Sequence, residues 1–567
     1  MTTAPNRAAR LARWCVRSAF APLRWPRLAL MGGLILVTAV CAWWHTAGLH
    51  RAAGTPLTLW QATDYAYAPF LYLVPQGLLA QVDTLTLPQA IARLTGPLIP
   101  LISLFWLMRQ RLLLWLARWL ARHRARGHSL VIGADASADA LARNTSMAGA
   151  VVVLVDPSLD AEDDDRWAML AASGVIGMAP EDALARHAGA LAVWQPSEAD
   201  NIAEAIRLRA SPVALDVAEI NLRVESAALQ HAMLQSPDLM LGARQRLRPH
   251  ALGAAAIRAA LAGPGLAERA LAQRQSRVTL CLWGMSDALV WAAEIALRQF
   301  WSARLGAPRI LWVGSPDAVT LPEPLLGLTC HAAAAYGAGA DAPAAQMISP
   351  EAAIADTQVT CHLVDYGEAD ETVAQAFVLA AALRQAHSAV PPVQAILDTA
   401  RAITPLFDTA ALAFLPPITP GVGITLEALC QREADRAAAE IHLAYDREFG
   451  GGGTVPASGR WQDLPETYIA ANRAAADHRA IKLWDAATSG LAGEALVEAL
   501  AEAEHKRWCA ERLLAGWAPA GDGPRDNDRR LHPDLRPWAE LDETAREKDR
   551  AAVAFACAGA RDRVSRT

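Results

Sequence analysis

The chain reads as two transmembrane α-helices followed by tandem doubly wound α/β units and a C-terminal all-α module. Three observations predict this. An uncharged run from Leu28 to Trp44 is followed by a second apolar run from Gly96. From Ser129 onward, short β-branched runs alternate with helical stretches, the signature of a parallel sheet with crossover helices. Past Pro416 that alternation stops and only helical periodicity remains.

The 567 residues exceed what one core can organise, since domains run to about 100 to 150 residues. The expected segments are a basic cytoplasmic tail (1–27), a two-span membrane domain with an external loop (28–127), a first Rossmann-like unit (128–250), a second (251–424) and a helical module (425–567). Charge divides along the same lines. Residues 1–127 carry 14 Arg and two acids, Asp64 and Asp83, whereas residues 128–567 hold 38 basic and 56 acidic residues. A body with a net charge of −18 repels a phosphate backbone, which argues against nucleic acid as a partner. The eight cysteines are scattered singly, with no metal-binding spacing, and read as reduced and structural.

Leu28–Trp44 has 17 residues without a charge, the lower limit for a spanning helix. A signal peptide would place a basic region before a similar run, but Trp43-Trp44-His45 is a poor cleavage site and a second apolar segment follows. That segment, Gly96–Met108, can extend to Trp115 if Arg109 and Arg111 snorkel or face a protein interior. Arg7, Arg10, Arg13, Arg17, Arg24 and Arg27 precede the first span, and Arg109 through Arg126 follow the start of the second without an acid. The positive-inside rule then puts both termini and the main body in the cytoplasm, with the lipid bilayer as a partner; the resemblances given below imply a bacterial inner membrane. The loop between the spans holds no potassium-filter motif.

Strands are expected at Ser129–Ile132, Ala150–Val155, Gly174–Met178, Ala190–Trp194, Val213–Val217 and Glu219–Val224. Together with Gly133, Asp156 and the run Ala188 to Trp194, this stretch resembles the RCK (TrkA-N) domain of potassium channels and transporters. The resemblance implies a Rossmann fold, an oligomer (dimer or tetramer), and a cofactor such as NAD or another nucleotide held at the Gly133 turn and on Asp156. The fingerprint is damaged, because Asp135 stands where the second glycine would let backbone approach pyrophosphate. A carboxylate there opposes phosphate, so weak or absent NAD binding is expected; a retained scaffold is the reading set against dinucleotide binding. A second unit starts at Arg277–Gly284, with further strands at Arg309–Gly314, Val359–Val364 and Val393–Leu397, and its turn again carries an acid, Asp287. Two such units in tandem resemble the doubled RCK arrangement of some large channels.

Helices are expected over Leu426–Tyr445, Pro465–Trp484 and Glu494–Ala515, the last stopped by Gly516. Residues 495–550 resemble the ryanodine receptor repeat (RyR) through His505-Lys-Arg-Trp508, Gly516-Trp517, Asp526, Arg529, Arg530, His532-Pro-Asp-Leu535, Pro537-Trp538 and Arg546 to Arg550. His505, Trp508 and Arg512 fall on one helix face. Aromatic planes with guanidinium groups suit a flat, anionic small molecule, so His505, Trp508, Trp517, Arg529, Arg530, His532 and Trp538 are the candidate ligand residues; the same tryptophans would also serve as the core of a small domain. No catalytic motif is present, so the chain reads as no enzyme. The expected function is a membrane-anchored sensor, an oligomeric channel-like effector gated by a nucleotide-type ligand. A non-conducting receptor or scaffold, and an NAD-binding regulatory subunit, are the alternatives.

Overall fold

The computed structural model describes residues 5–19, 25–54, 65, 68–70, 72–73, 86–156, 164–180, 187–211, 215–240, 245–314, 320–337, 342–397, 413–430, 432–449, 461 and 464–564. Most of the 55–90 loop and the Gly450–Gly453 joint lie outside them. Two compact units form, residues 1–130 with 146–189 and residues 131–145 with 190–567.

In the first unit, the Arg7–Ala19 helix packs Ala9, Ala12, Cys15, Val16 and Ala19 against the Leu98–His123 helix. Asn6 starts it by accepting from Ala9 N at 2.9 Å. The Trp25–Ala53 helix contains one segment, Gly32–Ala53, long and apolar enough to cross a membrane. Its Leu36 and Trp44 are 62% and 67% exposed, an arrangement costly in water and favourable in lipid. Among the described residues a second span exists only if Leu87–Phe105 and Met108–His123, bent by 50°, count as one. Two spans therefore remain an expectation, and one candidate helix is what the structure contains.

Two sheets follow. The first has β1 (His128–Ile132), β2 (Val152–Val155), β3 (Ile176–Met178), β4 (Ala188–Val193), β5 (Glu219–Arg223) and β6 (Arg246–His250) in the order β3-β2-β1-β4-β5-β6, the Rossmann order. The pairs β2–β3, β4–β5 and β5–β6 are parallel. Within the expected strand Val213–Val217, positions 215–217 are not strand and 213–214 lie outside the described residues. The sixth position is taken instead by β6, whose Arg246 and Arg248 hide its strand character in the sequence. Arg248 is buried because Glu219 at 2.9 Å and Asp435 at 3.1 Å accept its guanidinium. Ion pairing replaces hydrophobicity there.

The second sheet runs β11-β10-β7-β8-β9, all parallel, with β7 (Arg277–Trp283), β8 (Gly306–Val313), β9 (Ala344–Ile348), β10 (Cys361–Val364) and β11 (Val393–Ala395). Four longer helices complete the chain: Arg432–Phe449, Glu466–Thr488, Gly493–Leu514 and Glu543–Val564. The third ends at Gly516, whose φ of +79° closes the turn that lets Trp517 N reach Arg512 O at 2.9 Å. Beside a small cluster of their own around Leu500, Ala501 and Val553, these helices share the core of the second sheet. Ile481, Leu513, Leu514, Trp517 and Leu535 belong to the same buried cluster as Leu280, Leu282 and Trp312 of the second sheet.

A candidate anion site in the C-terminal helices

Helical spacing brings one face of each of two helices to a common space. On Glu466–Thr488, residues Tyr468, Asn472, Ala475, Arg479 and Lys482 repeat every three or four positions. On Gly493–Leu514 the matching face is Glu504, His505, Trp508 and Arg512. With the Arg432–Phe449 and Glu543–Val564 helices, the latter bringing Lys548, and with Arg525 and His532, these faces line a cavity of about 690 Å³. The alanines on the Glu466–Thr488 face leave the room that larger side chains would fill.

The cavity wall is cationic. Arg479, Lys482, Arg507, Arg512, Arg525 and Lys548 line it against Glu448, Glu504, Asp534 and Asp549. Glu504 forms the floor, accepting from Arg507 at 3.0 and 3.1 Å and Lys482 at 2.8 Å, with His478 Nδ1 at 3.0 Å. Burial alone would raise its pKa, but Arg507 and Lys482 outweigh that and hold the carboxyl well below the usual range. One carboxylate thus serves two cations and an imidazole.

His505 sits between two acceptors: Nδ1 faces Asp549 Oδ2 at 3.3 Å and Nε2 faces the Arg536 carbonyl at 2.9 Å. Two acceptors call for two N–H groups. Burial opposes the charged ring, yet Cys509 and Asp549 raise its pKa well above the ordinary histidine value. His532 is the opposite case. Its Nδ1 accepts from Asp534 N at 3.1 Å, and burial, with Arg525, Arg512 and Lys548 beside it, pushes its pKa down to about 3. At neutral pH it is an uncharged donor through Nε2 in a cationic enclosure.

Aromatic rings surround one guanidinium. Arg512 lies 5.8, 5.9 and 5.6 Å from the ring centres of Tyr468, Trp508 and Trp517. Arg525 lies 5.4 Å from Trp517 and donates to the Tyr468 hydroxyl at 2.7 Å. The rings hold the cations in place by cation–π attraction.

Of the seven residues the sequence points to in this module, His505, Trp508 and His532 line the cavity. Trp517 is only 8% exposed and backs Arg512 from the core. Trp538 lies on the far side of His505, 5.7 Å from its ring, where its indole N–H donates to Glu498 and it packs beside Leu500 and Val553. Arg529 is exposed, and its backbone N–H donates to Asp526 Oδ1 at 3.0 Å. Arg530, in left-handed backbone at φ +54°, donates to Ala515 O and lines a different cavity of about 610 Å³. Residues that the sequence did not single out are Arg525, Lys548, Tyr468 and Arg479; the four-residue spacing on Glu466–Thr488 is the signal that could have found two of them.

The Rossmann turns are occupied by the chain itself. A Cβ on Gly133 would stand 2.1 Å from Trp194 O, so only glycine fits. Asp135 Oδ1 accepts from Ala138 N at 2.7 Å at the start of the Ala136–Met147 helix, and its Oδ2 pairs with Arg223 at 3.0 Å. A phosphate would have to displace that carboxylate. Asp156, fully buried at the end of β2, is bonded to Arg166 within the first unit. In the second sheet's turn, Asp287 Oδ1 accepts from Ala227 N at 3.0 Å and Ser286 donates to Asp365 at 2.6 Å.

No curated protein matches this chain. Among solved structures, a crystal structure of a GsuK mutant is similar at 14% identity over 71% of this chain and 95% of that one, with a TM-score of 0.31, too low to argue from. The segment that supplies His505, Trp508 and His532 to the cavity, residues 490–556, matches the family model described as RyR domain.

Proposed function

We propose that the chain is a membrane-anchored sensor whose C-terminal helices bind a flat, anionic, nucleotide-type small molecule, and whose membrane part responds as an oligomeric, channel-like effector. The observation that carries this is the cavity beside Trp508 and Tyr468, where six Arg and Lys side chains and the His505 ring face four acids. Like charges gathered in one enclosure repel, and an anion relieves that repulsion where water does so less well. Trp508 and the tyrosines Tyr445 and Tyr468 offer planar surfaces for a base. The role is recognition, not chemistry: Cys509 Sγ lies 3.4 Å from His505 Nε2, but the thiol is fully buried and outside the cavity lining.

Because one or two helices per chain enclose no pore, conduction requires several copies, and a homo-oligomer is part of the proposal. The test uses the detergent-solubilised full chain, since the helices share a core with the second sheet. ATP, ADP-ribose and inorganic pyrophosphate are added at rising concentration while melting is followed. A ligand at about 100 times its Kd adds roughly 2.7 kcal/mol of stability. If none of the three raises the melting temperature, the ligand reading fails. Binding without ligand-dependent conductance in planar bilayers refutes the channel half and leaves a non-conducting receptor.

A further inference from the structure

We infer that the Arg7–Ala19 helix is an interfacial anchor whose outward face binds a bilayer surface carrying anionic headgroups. Arg7, Arg10, Leu11, Trp14 and Arg17 are exposed and spaced three or four apart or adjacent, so they form one face. The opposite face, Ala9, Ala12, Cys15, Val16 and Ala19, is buried against the Leu98–His123 helix. Small side chains there let the two helices approach closely. Arg13 points inward and donates to Ser146 O at 2.5 Å and Gly149 O at 2.6 Å, while Arg109 donates to Ser18 O. The helix is therefore fixed to the protein by one side and exposed on the other.

The open face combines three guanidinium groups with Trp14, 60% exposed, and Leu11, 46% exposed. On the Leu98–His123 helix against which it packs, Leu112, Trp115 and Trp119 are exposed as well. No Asp or Glu occurs before Asp64. An indole and an isobutyl group set between guanidiniums match the headgroup boundary of a bilayer, where the rings reach the acyl region and the cations meet phosphate. A second copy of the chain presents the same cationic face and is repelled. A polyanion such as DNA satisfies the arginines but leaves Leu11 and the Leu112 side chain in water.

The inference rests on the membrane reading above, and the experiment separates the two. The full chain is placed in bilayer discs containing a photoactivatable phosphatidylglycerol, or a photoactivatable phosphatidylcholine in an otherwise neutral disc, and adducts are mapped by mass spectrometry. Adducts on residues 7–19 with the anionic probe, well above those with the neutral probe, are expected. Each arginine at an anionic surface is worth about fivefold, so Arg7→Ser with Arg10→Ser reduces the yield about 30-fold. Both side chains are exposed, and unchanged melting confirms the fold. Trp14→Ser should reduce it too, without altering the melting temperature. Labelling of Gly32–Ala53 without any on 7–19 overturns the inference and spares the membrane reading; labelling of neither sinks both. Loss of the 7–19 adducts on adding duplex DNA, with Gly32–Ala53 still labelled, assigns the face to nucleic acid and overturns the inference as well.

Discussion

Replacing Glu504 by glutamine separates stability from binding, because the two effects have opposite signs. Glu504 is 4% exposed and is the common partner of Lys482, Arg507 and His478. Removing its charge leaves two buried cations sharing an amide oxygen, and breaking a buried pair in this way costs about 3 to 5 kcal/mol. The same change makes the cavity wall more positive by one unit. For a ligand charge about 8 Å from the lost carboxylate, at an effective dielectric of about 20, Coulomb's law gives roughly 2 kcal/mol, or about 30-fold tighter binding. The double substitution Glu504→Gln with Lys482→Met restores the charge balance and should return affinity to near the wild-type value. Calorimetry with whichever probe stabilises the wild-type chain measures the affinities, and thermal melting measures the stabilities. A folded Glu504→Gln protein that binds the probe more weakly than wild type would refute the reasoning, because the site would then not be reading negative charge.

Trp517→Ala should lower stability by about 3 to 5 kcal/mol as a core deletion, whereas Lys548→Ala, at the cavity wall, should leave the melting temperature unchanged and weaken probe binding severalfold; equal effects of both on binding alone would remove Trp517 from the core. His532 has its pKa depressed to about 3, so the folded chain binds fewer protons than the unfolded one between pH 3 and about 6.5. Its contribution to stability is complete above pH 6.5 and is lost as pH falls toward 3, and His532→Asn should flatten melting temperature against pH in that window. His505, with its pKa raised well above the histidine range, acts in the other direction: its contribution is complete below about pH 6.5 and is lost as pH climbs through the raised value, a decline that His505→Gln should remove. Calorimetry with NAD should show weak or no binding, since Asp135 already holds the Ala138 N–H; micromolar affinity abolished by Asp156→Ala would overturn that. Reporter fusions after Thr567 and within residues 55–90 should report cytoplasm and exterior, and a cytoplasmic loop would refute the two-span topology.

The two sheets were legible where strands are short, β-branched and buried, as in Val152–Val155 and Arg277–Trp283. They were not legible where charge does the work of apolar surface. Arg246 and Arg248 make β6 look like a solvated loop until Glu219, Asp435 and Glu466 are seen beside it, and two of those acids lie more than 180 residues further along the chain. The edge strand Ala344–Ile348 opens with Ala-Ala-Gln-Met and carries a single β-branched residue, Ile348. In the cavity, the helix face through His505 and Trp508 could be read from spacing alone. Whether a tryptophan is a wall or a core residue could not, because Trp517 is decided by Arg512 in front of it and Leu535 behind it.

The core that joins the last helices to the second sheet also bears on how the chain is made. Leu280 and Leu282 of β7 are buried in one cluster with Leu513, Leu514 and Leu535. At a synthesis rate of about 5 to 20 residues per second, the more than 230 residues between them take roughly 12 to 45 seconds to emerge. During that interval the outward face of the Asp287–Gln299 and Glu323–Tyr336 helices, on which the Gly493–Leu514 helix packs, stays open. A chain interrupted before residue 490 would keep that apolar face open and be drawn into chaperone binding or proteolysis, so loss of the C-terminal helices should appear in cells as loss of the whole protein.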